Sequence, residues 1–138
     1  MIQANELRIG NLVYDRGGKV LSVDRFCHGK IECDIKVMPN KTLAGIHSHY
    51  HPLTEEIEFC DPIPLTEEWL LKFGLKEVYF DVENNKDYIL NSLHIQHHLE
   101  VNDFVCTNTE PYFISIKSVH QLQNLYFALT GEELTIKE

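Results

Sequence analysis

The chain has 138 residues, the size of one ordinary domain, and its 43% hydrophobic and 24% charged content excludes a disordered or collagen-like polymer. Its 12 Lys+Arg against 21 Asp+Glu give a formal charge of −9, which works against nucleic-acid binding, because that affinity rests on cations displacing counterions from phosphates. The imbalance is local: residues 1–41 hold seven bases and five acids, a net of +2, whereas residues 42–138 hold five bases and 16 acids, a net of −11.

Residues 7–37 read as short strands joined by tight turns. Leu12-Val13-Tyr14 is β-prone, Gly17-Gly18 supplies positive φ for a hairpin, and Lys19–Asp24 alternates. His28-Gly29 is the next turn, after which Ile31, Cys33, Ile35 and Val37 share a face. Three strands in succession predict a small SH3-like or KOW-like antiparallel barrel, a fold that hosts many functions. Residues 38–52 predict a loop between Pro39-Asn40 and Pro52, and Ile57–Cys60 predicts the strand that closes the barrel before Pro62 and Pro64 stop it. Pro52-Leu53-Thr54-Glu55-Glu56 recurs as Pro64-Leu65-Thr66-Glu67-Glu68, too short an echo for a structural repeat.

The second copy predicts a helix from Glu67 to Phe73. Thr66 caps it, Glu67 and Glu68 sit at the positive end of its dipole, Leu65 staples to Leu70, and Gly74 ends it. Residues 76–116 predict an antiparallel meander: Val78, Phe80 and Val82 on one strand, an Asn84-Asn85 turn, Tyr88–Leu90, then Leu93, Ile95, His97, Leu99 and Val101 along one face. Asn102-Asp103 turns into Phe104–Cys106, and Tyr112–Ile116 follows Pro111. The last helix has a capping box, Ser118 with Gln121, and an apolar arc of Val119, Leu122, Leu125, Tyr126 and Leu129. Gly131 terminates it, and Leu134–Ile136 predicts an edge strand. The sum is an α+β chain forming one domain, residues 1–138, with a barrel-like part (1–63) and a helix–meander–helix part (64–138).

Leu7-Arg8-Ile9-Gly10-Asn11, then Pro62–Gly74 (PIPLTEEWLLKFG), then Val119–Leu134 (VHQLQNLYFALTGEEL) together resemble a family of small uncharacterised proteins of Bacteroidetes phages, prophages and mobile elements. The three blocks stand in the same order and span most of the chain. The resemblance implies a bacterial or phage cytoplasmic setting and carries no activity with it. The middle strands and the histidine-rich segment lie outside those blocks.

Cys27, Cys33, Cys60 and Cys106 form no CxxC pair, the first residues lack a basic start and an apolar run, and no apolar stretch reaches membrane-spanning length. A cytoplasmic chain with reduced, buried thiols is expected. His47, His49 and His51 at i, i+2, i+4 would point one way on an extended segment and suit zinc, with water or Cys60 as fourth ligand and hydrolysis as the resulting chemistry. A loop gives them no fixed orientation, so no metal or other cofactor is assigned. His94, His98 and Glu100 share a strand face as a second metal or acid–base set, and His97 reads as a core histidine bonded through one nitrogen. No Gly-x-Ser-x-Gly elbow or phosphate loop occurs.

The function expected from these residues is a non-enzymatic protein-binding or adaptor module, meeting a protein partner or a second copy of itself through exposed aromatics, Tyr14 and Phe127 foremost and Tyr50 beside them. Two alternatives stand next to it. One is nucleic-acid binding through Arg8, Arg16, Lys19, Arg25, Lys30 and Lys36, with Tyr14 and Phe26 as stacking surfaces. The other is the histidine-based hydrolytic site.

Overall fold

The computed structural model describes residues 2, 4–15, 17–26, 34–39, 53–56, 60–78, 84–108 and 113–137. The chain divides into two units, Met1–Ile63 and Pro64–Glu138.

In the first unit a 3₁₀ turn at Ala4–Glu6 precedes β1 (Leu12–Tyr14), β2 (Val20–Phe26), β3 (Asp34–Pro39) and β4 (Leu53–Glu56). They form an antiparallel sheet in the order β1-β2-β3-β4. Val13 lies opposite Leu21, and both are buried with Ile2, Leu7, Val23 and Cys60, so the alternation in β2 turns its apolar residues to one core. Two turns set the entry. Asn11 N–H donates to the Arg8 carbonyl at 3.1 Å, and Gly10 between them has φ 94°, the left-handed position that a type II turn requires at its third residue. Asp15 Oδ1 accepts from the Gly17 and Lys19 amides, both at 2.8 Å, an Asx-type closure of the hairpin.

The expected closed barrel is not formed. The strands make an open sheet among the described residues, with β4 at Leu53–Glu56; of the expected closing strand Ile57–Cys60, only Cys60 falls within them. Among the described residues the return to β1 is one antiparallel bridge, Tyr14 to Asp61, with both bonds at 2.9 Å.

In the second unit α1 (Glu67–Lys72) leads to a five-stranded antiparallel meander: β5 (Lys76–Val78), β6 (Asn85–Leu90), β7 (Leu93–His98), β8 (Asp103–Cys106) and β9 (Ile114–Ile116), followed by α2 (Val119–Thr130). β7 alternates as its sequence predicts, with Leu93, Ile95 and His97 buried. Tyr88, Phe104, Cys106 and Ile116 share that face by register and are buried, as are Trp69, Leu70 and Phe73 around α1 and Val119, Leu122 and Tyr126 in α2.

Several expectations shift. β7 ends at His98, so Leu99 and Val101 lie in the turn after it and are exposed instead of extending the apolar face. The buried side of α2 is Val119, His120, Leu122, Gln123 and Tyr126, and Leu129 is exposed. The helix is thus rotated toward His120 and Gln123, whose Nε2 donates to the Leu134 carbonyl at 3.3 Å. Ser118 is the N-cap but its side chain makes no cap bond, while Gln121 Oε1 accepts from the Lys117 amide at 2.9 Å. The capping box therefore closes one residue early and on one side only. Leu134–Ile136 is not a strand: Leu134 is buried, and Lys137 N–H donates to the Lys72 carbonyl at 2.8 Å. Of the expected Val78, Phe80 and Val82 strand, only Val78 falls within the described residues.

Candidate functional site

Histidines 47, 49 and 51 lie outside the described residues, as do Tyr50, Arg16, Lys30, Cys27 and Cys33. Tyr14 is half-buried in β1, in the first unit, and its backbone is spent on the Asp61 bridge. Phe127 is partly exposed on α2, in the second unit. Of the basic residues considered for phosphate contacts, Arg8 is half-buried in the turn and Lys19 is exposed in the hairpin.

The outer face of the second sheet carries a polar network. Register places Asp87 opposite Gln96, with His94 and His98 two residues to either side of Gln96. His94 Nε2 donates to Asp87 Oδ1 at 2.8 Å, and Gln96 Nε2 donates to the same oxygen at 3.4 Å. His98 Nε2 donates to Gln96 Oε1 at 2.8 Å. Asp87 is only 3% exposed, so a buried carboxylate holds one imidazole directly and a second through the amide. Glu100 turns elsewhere and accepts from Asn84 Nδ2 at 3.1 Å. The expected set of His94, His98 and Glu100 therefore does not converge, and among the described residues no group of three or more His, Cys, Asp or Glu is placed to hold a metal.

On the inner face His97 behaves as a core histidine. It is buried, stacks on Phe104 with ring centroids 4.1 Å apart, and donates from Nε2 to Asn102 Oδ1 at 2.9 Å. Nearby, Glu67 at the start of α1 accepts from the Tyr88 hydroxyl and from Lys86 Nζ, the latter at 3.2 Å. The Tyr88 bond holds the Glu67 carboxyl below its ordinary range, with Lys86 helping and burial opposing. Burial, followed by that same bond, pushes the Tyr88 phenol up.

The remaining feature lies at the end of β9. A groove of about 590 Å³ runs between Pro64-Leu65, the Val101-Asn102 turn, the start of β8 and the Ser115–Lys117 segment. Within its lining Ser115 Oγ donates to Asp103 Oδ1 at 2.6 Å, at the surface. Val101 in its lining is 71% exposed, and at the opposite end of β9, beside Cys106, Phe113 is 57% and Ile114 45% exposed. The groove is lined by both apolar and polar residues, Asn102, Asp103, Ser115 and Lys117 among them, and the exposed apolar side chains at the start of the edge strand suit a protein contact. The sequence signal for this site is the uncharged run Phe113–Ile116. Alternation alone does not single it out, because a meander strand with apolar residues on both faces reads equally as a strand buried on both.

No family model, curated protein or solved structure matches the chain. No helix among the described residues is long and apolar enough to cross a membrane.

Proposed function

We propose that the chain is a non-enzymatic protein-binding module whose contact surface is the β9 end of the second unit. One observation carries this reading: the edge strand β9 exposes Phe113 and Ile114 at its start, where exposed apolar groups of that size mark interaction sites, and a groove of about 590 Å³ lies at its other end. The first unit serves as an SH3-like module, with a four-strand meander and a return segment laid on β1 by the Tyr14–Asp61 bridge as its support. The buried thiols of Cys60 and Cys106 fit a reducing cytoplasmic setting. The test is a photo-reactive residue at position 113, activated in cells that produce the protein naturally. A defined partner band that disappears in an Ile114→Asp background is the expected result. Absence of any crosslink at 113, with the fold intact by circular dichroism, overturns the reading.

A further inference from the structure

We propose that β9 is a strand-addition site that takes an extended, cationic segment of the partner protein. The proposal rests on the reading of the β9 end as the contact surface and adds its mode and its chemistry.

Backbone direction supports it first. In a β-strand the N–H and C=O of one residue point to the same side, and the side alternates along the chain. The Lys117 carbonyl faces away from β8, since it accepts from the Leu65 amide at 3.0 Å. The Lys117 amide on that side is taken by Gln121 Oε1. Two residues earlier, the Ser115 N–H and C=O face the same way, and among the described residues no strand lies beyond β9. The chain already uses this edge, because Pro64 forms an antiparallel bridge to Ser118. It then leaves at Thr66, the N-cap of α1, so the pairing stops just before it would reach Ser115. The chain thus carries out the geometry of addition itself and vacates the next position.

Side chains support it second. Sheet edges are normally blunted with Lys, Pro or inward charges. Phe113-Ile114-Ser115-Ile116 contains none of these. A strand laid beside β9 would set its alternate side chains against Ile114 on one face and Ser115 on the other, the pattern of peptide capture by edge pairing.

Charge decides the occupant. Residues 64–138 hold 12 acids and five lysines, a net of −7. A second copy of the chain would bring the same sign to the contact, whereas lysines or arginines alternating with apolar residues complement it. Asp103, bonded to Ser115, puts a carboxylate in the groove lining, where Lys117 also stands.

The experiment uses the whole chain and a fluorescein-labelled hexapeptide alternating lysine and valine. A glutamate-for-lysine version and a lysine–valine version N-methylated at alternate amides serve as controls. Anisotropy is expected to show saturable binding, with protection of the Ser115 amide from hydrogen exchange. The glutamate and N-methylated peptides are each expected to bind at least about tenfold more weakly, a difference of about 1.4 kcal/mol. Ser115→Pro removes the outward donor and is expected to act likewise, while the N-methylated peptide gives the same answer with the protein unchanged. Equal binding of the glutamate peptide, undiminished binding of the N-methylated one, or Ser115 protection arising from a concentration-dependent dimer would each overturn the proposal. If no peptide binds while the crosslink at position 113 persists, strand addition falls and the protein-binding reading stands. If the crosslink is also absent, both fall.

Discussion

Tyr88 is fully buried, and its hydroxyl ends on Glu67 beside the Lys86 ammonium. The two shifts act at opposite ends of the pH scale. Glu67 is held below its ordinary value, so its stabilisation is complete above the unfolded carboxyl value of about 4.3 and is lost as pH falls through the lower folded value. Tyr88 is pushed up, so its stabilisation is complete below the unfolded phenol value of about 10 and is lost as pH rises toward the folded one. Thermal melts of Glu67→Gln are expected to fall less steeply than the parent below pH 4. Tyr88→Phe is expected to cost about 1–2 kcal/mol at neutral pH, and its melts are expected to lack part of the loss above pH 10. Legibility at this scale depended on whether a residue's role is local. The Gly10-Asn11 pair was visible as a motif, and its reason is local: Gly10 takes the positive φ and Asn11 Oδ1 accepts from the Arg8 amide at 2.7 Å. The Asp87 network was not visible, because its members meet only once the register of β6 against β7 is fixed.

Leu53-Thr54-Glu55-Glu56 and Leu65-Thr66-Glu67-Glu68 are the same four residues in two structures, strand β4 and the capped start of α1. The residues C-terminal to each copy decide between them. Thr66 Oγ1 accepts from the Trp69 amide at 3.4 Å, and Trp69 and Leu70 give the helix a buried side; Glu56 precedes Ile57-Glu58-Phe59, an alternating pattern. Helix ends were legible because capping chemistry is local, and the expected helix 67–73 lies within one residue of the observed Glu67–Lys72. The face of α2 was not, because burial of His120 and Gln123 is set by packing outside the helix, as where Gln123 meets the Leu134 carbonyl, and not by the helical period. The helix ends also carry two expected outcomes. Ser118 caps α2 without a side-chain bond, and its Oγ is buried with no partner. Ser118→Ala is therefore expected to be neutral within about 0.5 kcal/mol, where an N-cap serine ordinarily contributes about 1 kcal/mol, and Gln121→Ala is expected to cost more, about 0.5–1.5 kcal/mol. Urea unfolding of both variants checks the order. Gly74 and Gly131 both have positive φ, 89° and 75°. A Cβ at Gly131 meets nothing within 4 Å, whereas one at Gly74 comes to 2.8 Å from Lys137 Cγ. Both alanine variants carry the left-handed penalty of about 1–2 kcal/mol. Gly74→Ala is expected to exceed Gly131→Ala, and Lys137→Ala in the same chain is expected to reduce that excess.

The charge of the whole molecule also sets its behaviour in solution. With 12 Lys+Arg against 21 Asp+Glu the formal charge is −9 at pH 7 and the sequence pI is about 5.3, so the net charge that keeps copies apart fades toward pH 5. Turbidity is expected to rise there and to clear again on return to pH 7.5; a flat trace across pH 7.5 to 5 would contradict this. The α+β class and the antiparallel meander of the second unit were legible at this scale because alternation and turn residues are strong in 84–106. Barrel closure in the first unit was not. It depends on long-range pairing between β1 and the chain after β4, of which the described residues contain the Tyr14–Asp61 bridge, and no local signal in the sequence sets that pairing.

The burial of Asp87 on the outer sheet face also bears on how the strands find one another. β6 and β7 are six residues each and meet across the short Asn91-Ser92 turn. Because side chains alternate, sliding one strand by a single residue would carry the Asp87 carboxylate to the side lined by Leu93 and Ile95, away from His94 and Gln96. An ionised group stranded there costs several kcal/mol. The aspartate thus acts as a locating pin, discarding near-miss alignments that apolar residues alone would tolerate.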